Sequence, residues 1–398
     1  MDARFLQRKH ELIAEAQVEP GLFAGVSERL AKFTAPFVRT LVQAKQRTRA
    51  ADFIGGLLSD VERKNAESIA YRCDQERQEM QYFLGESRWD HRPLLLELAT
   101  QVGRDLGRPD GVIVFDPSAF PKKGTESVGV QRQWCGRLGK VENCQVGVYL
   151  GYVSPEEHAL VNVRLYLPRQ WARDRKRRQK CHVPREVRFQ TRHALCLSML
   201  DEMGHLLPHA WIAGDDEMGR SSAFRRELRA RKEQYLLAVP SNTLIRDLES
   251  VPAQADEAAP RRRAPFTRVD HWRDDLPAGA WQAVNVRDGE KGPLCVEVVS
   301  WRVQAKTEQR RVGPEELLVI VRTPEAAGGW KYDFYLSNAS PSTSPADLAR
   351  VAKAEHRIEE CLQRGKSEAG LADYEVRSWG GWHHHQTLSL IAAWFLNV

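Results

Sequence analysis

The chain has 398 residues, of which 42% are hydrophobic and 28% are charged. This balance supplies enough apolar side chains for a packed core and excludes a chain that is disordered throughout. The formal net charge of +6 favours a polyanionic partner without naming one. The seven cysteines include no Cys-x-x-Cys pair, which argues against a zinc ribbon or a disulfide framework.

The sequence carries no signal for export or for a membrane. It opens with Met1-Asp2-Ala3-Arg4, without the apolar core of a signal peptide. No run of about 18 apolar residues, the minimum for a membrane-spanning helix, occurs elsewhere. We therefore expect a cytoplasmic protein in a reducing environment, without a membrane partner.

Residues 1–105 predict a helical domain. Apolar side chains recur at helical spacing, first at Leu12 and Ala16 and later at Phe53 and Leu57, with charged residues between them. No helix-turn-helix pattern marks a helix that would read DNA.

Residues 106–240 predict alternating strands and helices. We expect strands at 111–115, 145–153, 159–167, 210–214 and 234–239, and helices at 186–203 and 221–232. The first strand ends at Asp116 and the fourth at Asp215. Three meandering strands, followed by two that are reached through helices, form a mixed sheet flanked by helices, in which the first and fourth strands are neighbours. The expected fold class is therefore α/β.

Residues 241–333 interrupt this pattern with short alternating segments, such as 281–286 and 317–321, and predict a β-rich insertion. Residues 334–398 resume the core with helices at about 346–369 and 386–396. We thus divide the chain into a helical part, the first part of the core, an insertion and the second part of the core, at 1–105, 106–240, 241–333 and 334–398.

Three acidic residues stand where phosphoryl transfer would need them. Asp116 and Asp215 end neighbouring strands, and Glu359 lies on the late helix, with Lys366 on a similar face of that helix. Carboxylates of this kind hold divalent cations, which activate the attacking oxygen and stabilise the leaving oxygen. Since an aspartate after a strand is commonly a helix cap or a turn residue, only the ordered set of three indicates a metal site.

The residues around these acids carry a specific resemblance to a known family. The matching segments are 116–124, 127–130, 133–136, 139–140 and 143–146 around Asp116, 212–215 with Gly219 and 224–228 around Asp215, and 357–360, 370–371, 374–377, Lys366 and Trp379 around Glu359. Together they resemble the DDE transposases of the insertion-sequence 701 group, within the wider insertion-sequence 4 clan.

This resemblance implies a ribonuclease-H-like core, a mixed five-stranded sheet flanked by helices, with the β-rich insertion placed before the glutamate helix. It implies a transposase that cuts double-stranded DNA at the terminal inverted repeats of a mobile element and joins the 3′-hydroxyl ends to target DNA. Asp116, Asp215 and Glu359 would be the catalytic residues and the ligands of two Mg²⁺ ions, which Mn²⁺ can replace. The helical domain would bind the terminal repeats, in a homodimer assembled on the DNA ends near the nucleoid of a prokaryotic cell.

The sequence departs from the family at two signature positions, because the clan's tyrosine and arginine fall at Ala352 and Glu355. Arg350 or Arg357 could replace the lost positive charge. Asp216 competes with Asp215, although the family's spacing to a glycine, here Gly219, favours Asp215. Two rival functions stay open. One is a transposase-derived DNA-binding protein without catalysis, and the other is a stand-alone nuclease.

Two basic groups are candidates for contacts with DNA phosphates. One follows Asp116 closely and the other follows the third strand, where a solvated loop is the alternative interpretation. Their members, with the lysine near Glu359, are Lys122, Lys123, Arg132, Arg137, Lys140, Arg175, Lys176, Arg177, Arg178 and Lys366.

Two other features invite a functional interpretation. His383, His384 and His385 are adjacent, so they do not all point one way on a helix, and we expect a DNA-backbone contact or a polar helix start rather than a metal site. Trp301 and Trp330 lie in the insertion, where an aromatic side chain can stack on an extruded base, although core packing is the default interpretation.

Overall fold

A computed structural model describes residues 25–249, 265–289, 292–325 and 327–397. The apolar positions predicted at Leu12 and Ala16 lie outside the described residues. None of the helices within the described residues combines the length and the apolar character that crossing a membrane requires.

The described part of the N-terminal region is helical, as predicted. Its five helices are α1 (Val26–Arg39), α2 (Ala44–Leu57), α3 (Ala66–Arg72), α4 (Arg77–Gly85) and α5 (Arg92–Asp105). A side-chain cap fixes the start of one of these helices. The Asn65 side chain accepts a hydrogen bond from the Ser68 amide (2.9 Å) and caps α3. Apolar stripes that include Phe53 and Leu98 are fully buried where the helices meet.

One large mixed sheet contains all twelve described strands. They are β1 (Val112–Pro121), β2 (Gln131–Cys135), β3 (Lys140–Val153), β4 (His158–Leu165), β5 (Trp211–Gly214), β6 (Tyr235–Val239), β7 (Leu244–Asp247), β8 (Thr267–Arg268), β9 (Gln282–Gly289), β10 (Gly292–Lys306), β11 (Val312–Pro324) and β12 (Trp330–Ser337).

The five strands predicted for the core are β1, β3, β4, β5 and β6. β3 pairs antiparallel with both β4 and β1, β1 pairs parallel with β5, and β5 pairs parallel with β6. The predicted neighbours, the first and fourth strands, are therefore paired. The sheet does not end there, because β12 pairs antiparallel with β6, with Phe334 opposite Val239. The predicted five strands are thus one part of a larger sheet that the insertion extends.

The first strand is longer than predicted. β1 was expected to end before Asp116, but its antiparallel pairing with β3 continues to Pro121 opposite Cys144. Its parallel pairing with β5 stops earlier, at Phe115 opposite Gly214. Pro117, which has no amide hydrogen to donate, therefore lies where β5 no longer flanks the strand, a position that tolerates proline. Asp116 is the first residue beyond the β5 pairing.

The remaining helices are α6 (Arg169–Arg173), α7 (Arg175–Lys180), α8 (Arg192–Met203), α9 (Asp216–Arg220), α10 (Ser222–Ala230), α11 (Val269–Asp274), α12 (Pro345–Ala352), α13 (Ala354–Glu368) and α14 (Trp379–Phe395). Most of the predicted helices are present with different ends.

Three helix predictions were wrong in detail. The helix expected from residue 186 begins at Arg192, because the Thr191 hydroxyl accepts from the Ala194 amide (3.1 Å) and caps it. The helix expected over 346–369 is two helices that part at Lys353. The last helix starts at Trp379 rather than 386, since Ser378 caps it there.

A single cluster of buried apolar residues connects the N-terminal helices, the sheet and α14. It includes Phe53 from α2, Tyr149 from β3 and Trp382 from α14, each fully buried or nearly so. The Tyr149 hydroxyl also donates to the Gln386 side chain at 2.6 Å. Through this shared core the N-terminal helices and α14 support the side of the sheet from which the acidic residues project.

Candidate active site

Asp116 projects from β1 directly beyond the end of the β5 pairing and is only partly accessible. Burial, followed by the negative charges of Asp215 and Glu359, raises the pKa of Asp116 to about 8, while the ammonium of Lys366 opposes this rise. The three predicted acids thus come together in space although the chain separates them widely. The negative charges of Asp215 and Glu359 therefore act on the carboxylate of Asp116.

Asp215 follows β5 and caps α9. One of its carboxylate oxygens accepts from the Met218 amide at 3.0 Å, so the helix-cap interpretation and the site interpretation both hold for the same side chain. Burial raises the pKa of Asp215 to about 7, against the effect of the Met218 hydrogen bond. Asp216, the competing residue, is exposed and forms an ion pair with Arg220 at 3.0 Å, which favours Asp215.

Glu359 lies on α13, and its side chain is 58% exposed. It accepts a hydrogen bond from His356, one turn earlier on the helix, at 3.3 Å. The helix lies close to β3 because Gly151 has no side chain. A Cβ atom at Gly151 would come within 2.4 Å of the Ile358 side chain. Ile358 therefore anchors α13 on the sheet beside Glu359.

Lys366 extends from α13 towards β1. Its ammonium donates to the Ser118 hydroxyl at 2.8 Å, and Ser118 lies two residues after Asp116, on the same face of the strand. Burial lowers the pKa of Lys366, and the negative charge of Asp116 opposes that shift. The lysine predicted near Glu359 is therefore part of the site and partly offsets the charge of Asp116.

Glu355 is a fourth acid at the site, and sequence reasoning noted it only as the position of a missing arginine. Burial, followed by the charges of Asp215, Asp116 and Glu359, raises the pKa of Glu355 well above its usual range. It lies one helical turn before Glu359 and lines, with Glu359 and Asp215, a cleft of about 550 Å³. The four-residue spacing of the two glutamates on one helix was the available signal.

The donor chemistry of this cluster fits hard divalent cations, which prefer carboxylate oxygens. A bound cation would also offset the repulsion that raises the pKa of Asp116. Within the described ranges, however, no three His, Cys, Asp or Glu side chains are arranged as a group that could hold an ion as they stand. The charges of the neighbouring acids raise the pKa values of Asp116 and Glu355, but the acids do not form a closed ligand shell.

The two arginines considered as replacements for the lost signature arginine do not reach the acids. Arg357 donates to the backbone carbonyls of the β3–β4 turn, at 2.8 Å from both Ser154 and Glu156. Arg350 donates to the carbonyl of Asp110, before β1 begins, at 3.0 Å. Both side chains are held by backbone carbonyls of these loops, so the structure gives this hypothesis no support.

The predicted DNA contacts fall into two structural groups. The side chains of the first group, Lys122, Arg177 and Arg178, make contacts within the protein. Lys122 lies 3.5 Å from the centre of the Tyr374 ring, and burial lowers its pKa to about 8. Arg177 stacks on the Trp171 ring at 3.7 Å, and Arg178 donates to the Pro184 carbonyl at 2.8 Å. The second group is exposed and comprises Lys123, Arg132, Arg137, Lys140, Arg175 and Lys176. The segment for which a solvated loop was the alternative interpretation forms α6 and α7.

The histidine triplet makes no polar helix surface. His383, His384 and His385 are each at most 4% exposed. One ring nitrogen of each lies 2.8 to 2.9 Å from a backbone carbonyl, respectively of Trp379, Leu84 and Gly370, and the other nitrogen of His384 lies 2.9 Å from the Trp89 carbonyl. Burial lowers the pKa of His383 to about 3 and that of His385 to about 4, so these rings are neutral. The expected DNA-backbone contact was wrong, because the rings are inside the core.

The two tryptophans of the insertion differ. The Trp301 indole donates to Asp247 at 2.9 Å and packs edge-on against Trp272, as the core-packing interpretation predicts. Trp330 is 37% exposed, with the Arg322 guanidinium 4.3 Å from its ring.

Comparison with known proteins identifies the family of the chain. A family model described as "DDE superfamily endonuclease" matches residues 36–293. Over 336 residues the chain is 35% identical to the "Probable transposase for insertion sequence element IS701" of Microchaete diplosiphon, covering 81% of this chain and 74% of the relative. The cryo-EM structure of a piggyBac transposase synaptic complex with hairpin DNA aligns with a TM-score of 0.39 and 10% identity, over 89% of this chain and 66% of that chain. The chain belongs to the DDE superfamily of endonucleases and, within it, to the transposases related to that of IS701.

Proposed function

We propose that Asp116, Asp215 and Glu359 form the catalytic site with which this transposase cuts at the terminal inverted repeats of its element and joins the 3′-hydroxyl ends to target DNA. The observation that carries the proposal is the rise in the pKa of Asp116 caused by burial and by the charges of Asp215 and Glu359. The cleft lined by both Asp215 and Glu359 gives further support, because it brings an acid from the parallel neighbour of β1 and an acid from the late helix to one surface.

Enzymes of this superfamily use divalent metal ions. We propose two Mg²⁺ ions, replaceable by Mn²⁺, held by Asp116, Glu359 and the Asp215 oxygen that does not cap α9. Bound there, the ions would lower the pKa of the attacking hydroxyl and stabilise the leaving oxygen. Lys366 keeps a positive charge beside Asp116 and is placed to contact a phosphate oxygen. Exposed basic residues, among them Lys123 and Arg175, would hold the DNA backbone.

The strand order β4–β3–β1–β5–β6, three antiparallel strands followed by two parallel ones, supports a ribonuclease-H-like core within the larger sheet. We assign this core to 106–240 and 334–398, the insertion to 241–333 and recognition of the terminal repeats to the helices of 1–105. We further propose that the transposase acts on DNA ends as a homodimer, in the cytoplasm of a prokaryotic cell where the nucleoid is accessible.

The test uses a plasmid that carries the coding region with its flanking DNA, incubated with the full chain and Mg²⁺ or Mn²⁺. Asp116→Asn, Asp215→Asn and Glu359→Gln should each reduce cleavage at the element ends by at least about 1,000-fold, since each removes a charge that metal-dependent catalysis needs. Asp216→Asn and Glu360→Gln are the matched controls, because they change the adjacent acids, and should stay within a few-fold of the parent.

The same assay separates the rival functions. Paired cleavage at both ends followed by strand transfer supports the proposal. Cleavage without joining would indicate a stand-alone nuclease, and end binding without cleavage under either metal would indicate a DNA-binding derivative. Full activity of Asp116→Asn would refute the assigned site.

A further inference from the structure

The hairpin formed by β2, a 3₁₀ turn and the start of β3 exposes an unusual amount of apolar surface. We refer to residues 131–143 as the β2–β3 hairpin. Trp134 is 58% exposed, Val141 51% and Leu138 44%. Trp134 and Val141 are directly opposite each other across the two strands, so their side chains share one face. A contiguous exposed apolar patch of this kind marks an interaction surface more often than a scattered residue does.

The rest of the hairpin shows why this face stays in solvent. Alternation along β2 sends Cys135 inward, where it is fully buried and packs with Cys144, and leaves Arg132 and Trp134 outward. The buried residues on the inner face therefore stabilise the hairpin, and Trp134 contributes little to the core. An exposed indole without a packing role is available for a ligand.

The charges around the indole are mainly positive. Arg132, Arg137 and Lys140 are all exposed, and Glu142 is the single acid of the segment. Arg132 shares the outward face of β2 with Trp134, and Arg137 lies in the turn at the tip. A flat aromatic ring within a cationic rim is the composition of surfaces that bind nucleic-acid bases and phosphates together.

The hairpin also lies beside the acidic site. β2 pairs with β3 over residues 140–144, and the far end of β1 reaches β3 at Cys144, where Pro121 is its partner. Arg137 is near enough to Lys366 to lower the pKa of its ammonium group. Lys366 in turn donates to Ser118, two residues after Asp116. DNA bound at Asp116 would therefore extend past the hairpin.

We propose that the β2–β3 hairpin is a nucleotide-binding element, in which Trp134 stacks on an unpaired DNA base close to the scissile phosphate while Arg132 and Arg137 contact the adjoining backbone. Such a base becomes available when the terminal base pairs open at a cut DNA end, and stacking accepts any base because every base has a π face. The inference rests on the proposed function for the position of the scissile phosphate, but its binding chemistry is independent of the acids.

The test measures binding by the full chain in EDTA, so that no cleavage occurs. One fluorescein-labelled 30-base-pair duplex carries 2-aminopurine opposite an abasic site, and a second, fully paired duplex has the same sequence. Trp134→Ala should weaken binding to the first duplex about 5- to 150-fold, the range expected for loss of one stacked base. It should weaken binding to the paired duplex less than about twofold. It should also abolish quenching of 2-aminopurine fluorescence. Trp134→Phe, which retains a ring, should fall between the parent and Trp134→Ala.

The matched control is Val312→Ala, which shortens an apolar side chain that is 47% exposed on β11, outside the hairpin and outside the N-terminal helices, and it should bind both duplexes as the parent does. Equal binding of the parent and Trp134→Ala, or an equal loss on both duplexes, would overturn the proposal. So would a shift of Trp134→Ala to a smaller sedimenting species with unchanged DNA binding, which would identify the face as a contact between two copies of the chain. Asp116→Asn separates the two proposals, because it should keep the Trp134-dependent binding while losing cleavage. If it still cleaves, the proposed site fails and the stacking result stands.

Discussion

At the scale of single residues, Asp116 occupies surroundings that disfavour its charge. Its carboxylate is largely buried beside two other acids, and Lys366 compensates only part of the repulsion. Such surroundings are costly to the metal-free protein, because ionising a buried acid near like charges requires free energy. A divalent cation would reverse that cost. The burial and repulsion at Asp116 should therefore make the stability of the metal-free protein depend on pH.

The metal-free protein should lose stability as pH rises from about 5.5 to 8.5. The pKa of Asp116 is about 8 in the folded chain and about 4 in an unfolded one, so the folded state holds the proton more tightly. The stabilisation is complete below about pH 4 and is lost as pH rises through 8. Asp116→Asn removes this contribution, and its melting temperature in EDTA should fall less over the same interval. Asp215, with a pKa of about 7, should keep part of the slope.

The control for this measurement is Asp110→Asn, which changes an exposed acid that pairs with Arg350 at 3.4 Å and should leave the pH slope of the parent unchanged. Adding Mg²⁺ should flatten the slope of the parent more than that of Asp116→Asn. Identical slopes for the parent and Asp116→Asn in EDTA would contradict the buried, repelled state of this carboxylate.

At the scale of elements, the short helix α9 fixes Asp215, and Gly219 fixes α9. A Cβ atom at Gly219 would lie 1.9 Å from the Ala238 carbonyl oxygen of β6, closer than any real contact. The glycine thus lets the helix rest on the backbone of the neighbouring strand. The spacing from Asp215 to Gly219, read from the sequence as a family pattern, has this steric cause.

Gly219→Ala should lower the free energy of unfolding by about 1–3 kcal/mol, the usual cost of overpacking. It should also reduce cleavage, because moving α9 displaces the carboxylate that caps it. Chemical denaturation measures the first effect and the plasmid assay the second. Gly124→Ala is the matched control, since a Cβ atom there meets nothing within 4 Å. Unchanged stability of Gly219→Ala would show that α9 can withdraw from β6 without cost.

The sequence predicted those strands and helices that are determined by the pattern of neighbouring residues. The apolar run before Asp116 predicted β1, and the family-like segments brought Asp215 and Glu359 into one site. β2 was missed because only its inner residue Cys135 is buried, which leaves a weak alternation. The pairing of β12 with β6 could not be predicted from the sequence, because it joins residues on either side of the whole insertion and depends on tertiary packing. Glu355 was not predicted as a site residue, because the family pattern drew attention to the missing arginine at this position and not to the acid that stands there instead.

At the scale of the whole molecule, a buried ionic network connects the insertion to the core. The Glu316 carboxylate on β11 is fully buried and accepts from Arg225 of α10 at 2.8 Å and from Tyr235 of β6 at 2.6 Å. Together with the β12–β6 pairing, this network joins the two parts of the sheet. We therefore expect them to unfold together.

Glu316→Ala should lower the free energy of unfolding by about 3–5 kcal/mol, because it leaves the Arg225 guanidinium buried without its partner. The double variant Arg225→Met/Glu316→Leu should be less destabilised than Glu316→Ala, since no buried unpaired charge remains. Arg229 also pairs with Glu316 at 3.4 Å, but it is 30% exposed and can be solvated in the double variant. Glu315→Ala changes the neighbouring acid, which is 50% exposed and pairs with Arg302, and should cost less than about 1 kcal/mol. Two separate unfolding transitions in the parent would contradict the joint unfolding of core and insertion.

The distribution of positive charge over the whole surface predicts how DNA binding responds to salt. Each cation that neutralises a phosphate releases counterions and adds about 0.9 to the slope of log K against log salt concentration. Arg175 and Lys176 are exposed at the start of α7, so replacing either with Gln should lower that slope by about 0.9 and weaken binding equally for every DNA sequence. Arg178→Gln, from the same helix, is the control, because its guanidinium is engaged by the Pro184 carbonyl and its loss should leave the slope unchanged. If all three variants keep the slope of the parent, α7 faces away from DNA and the phosphate contacts lie elsewhere on the molecule.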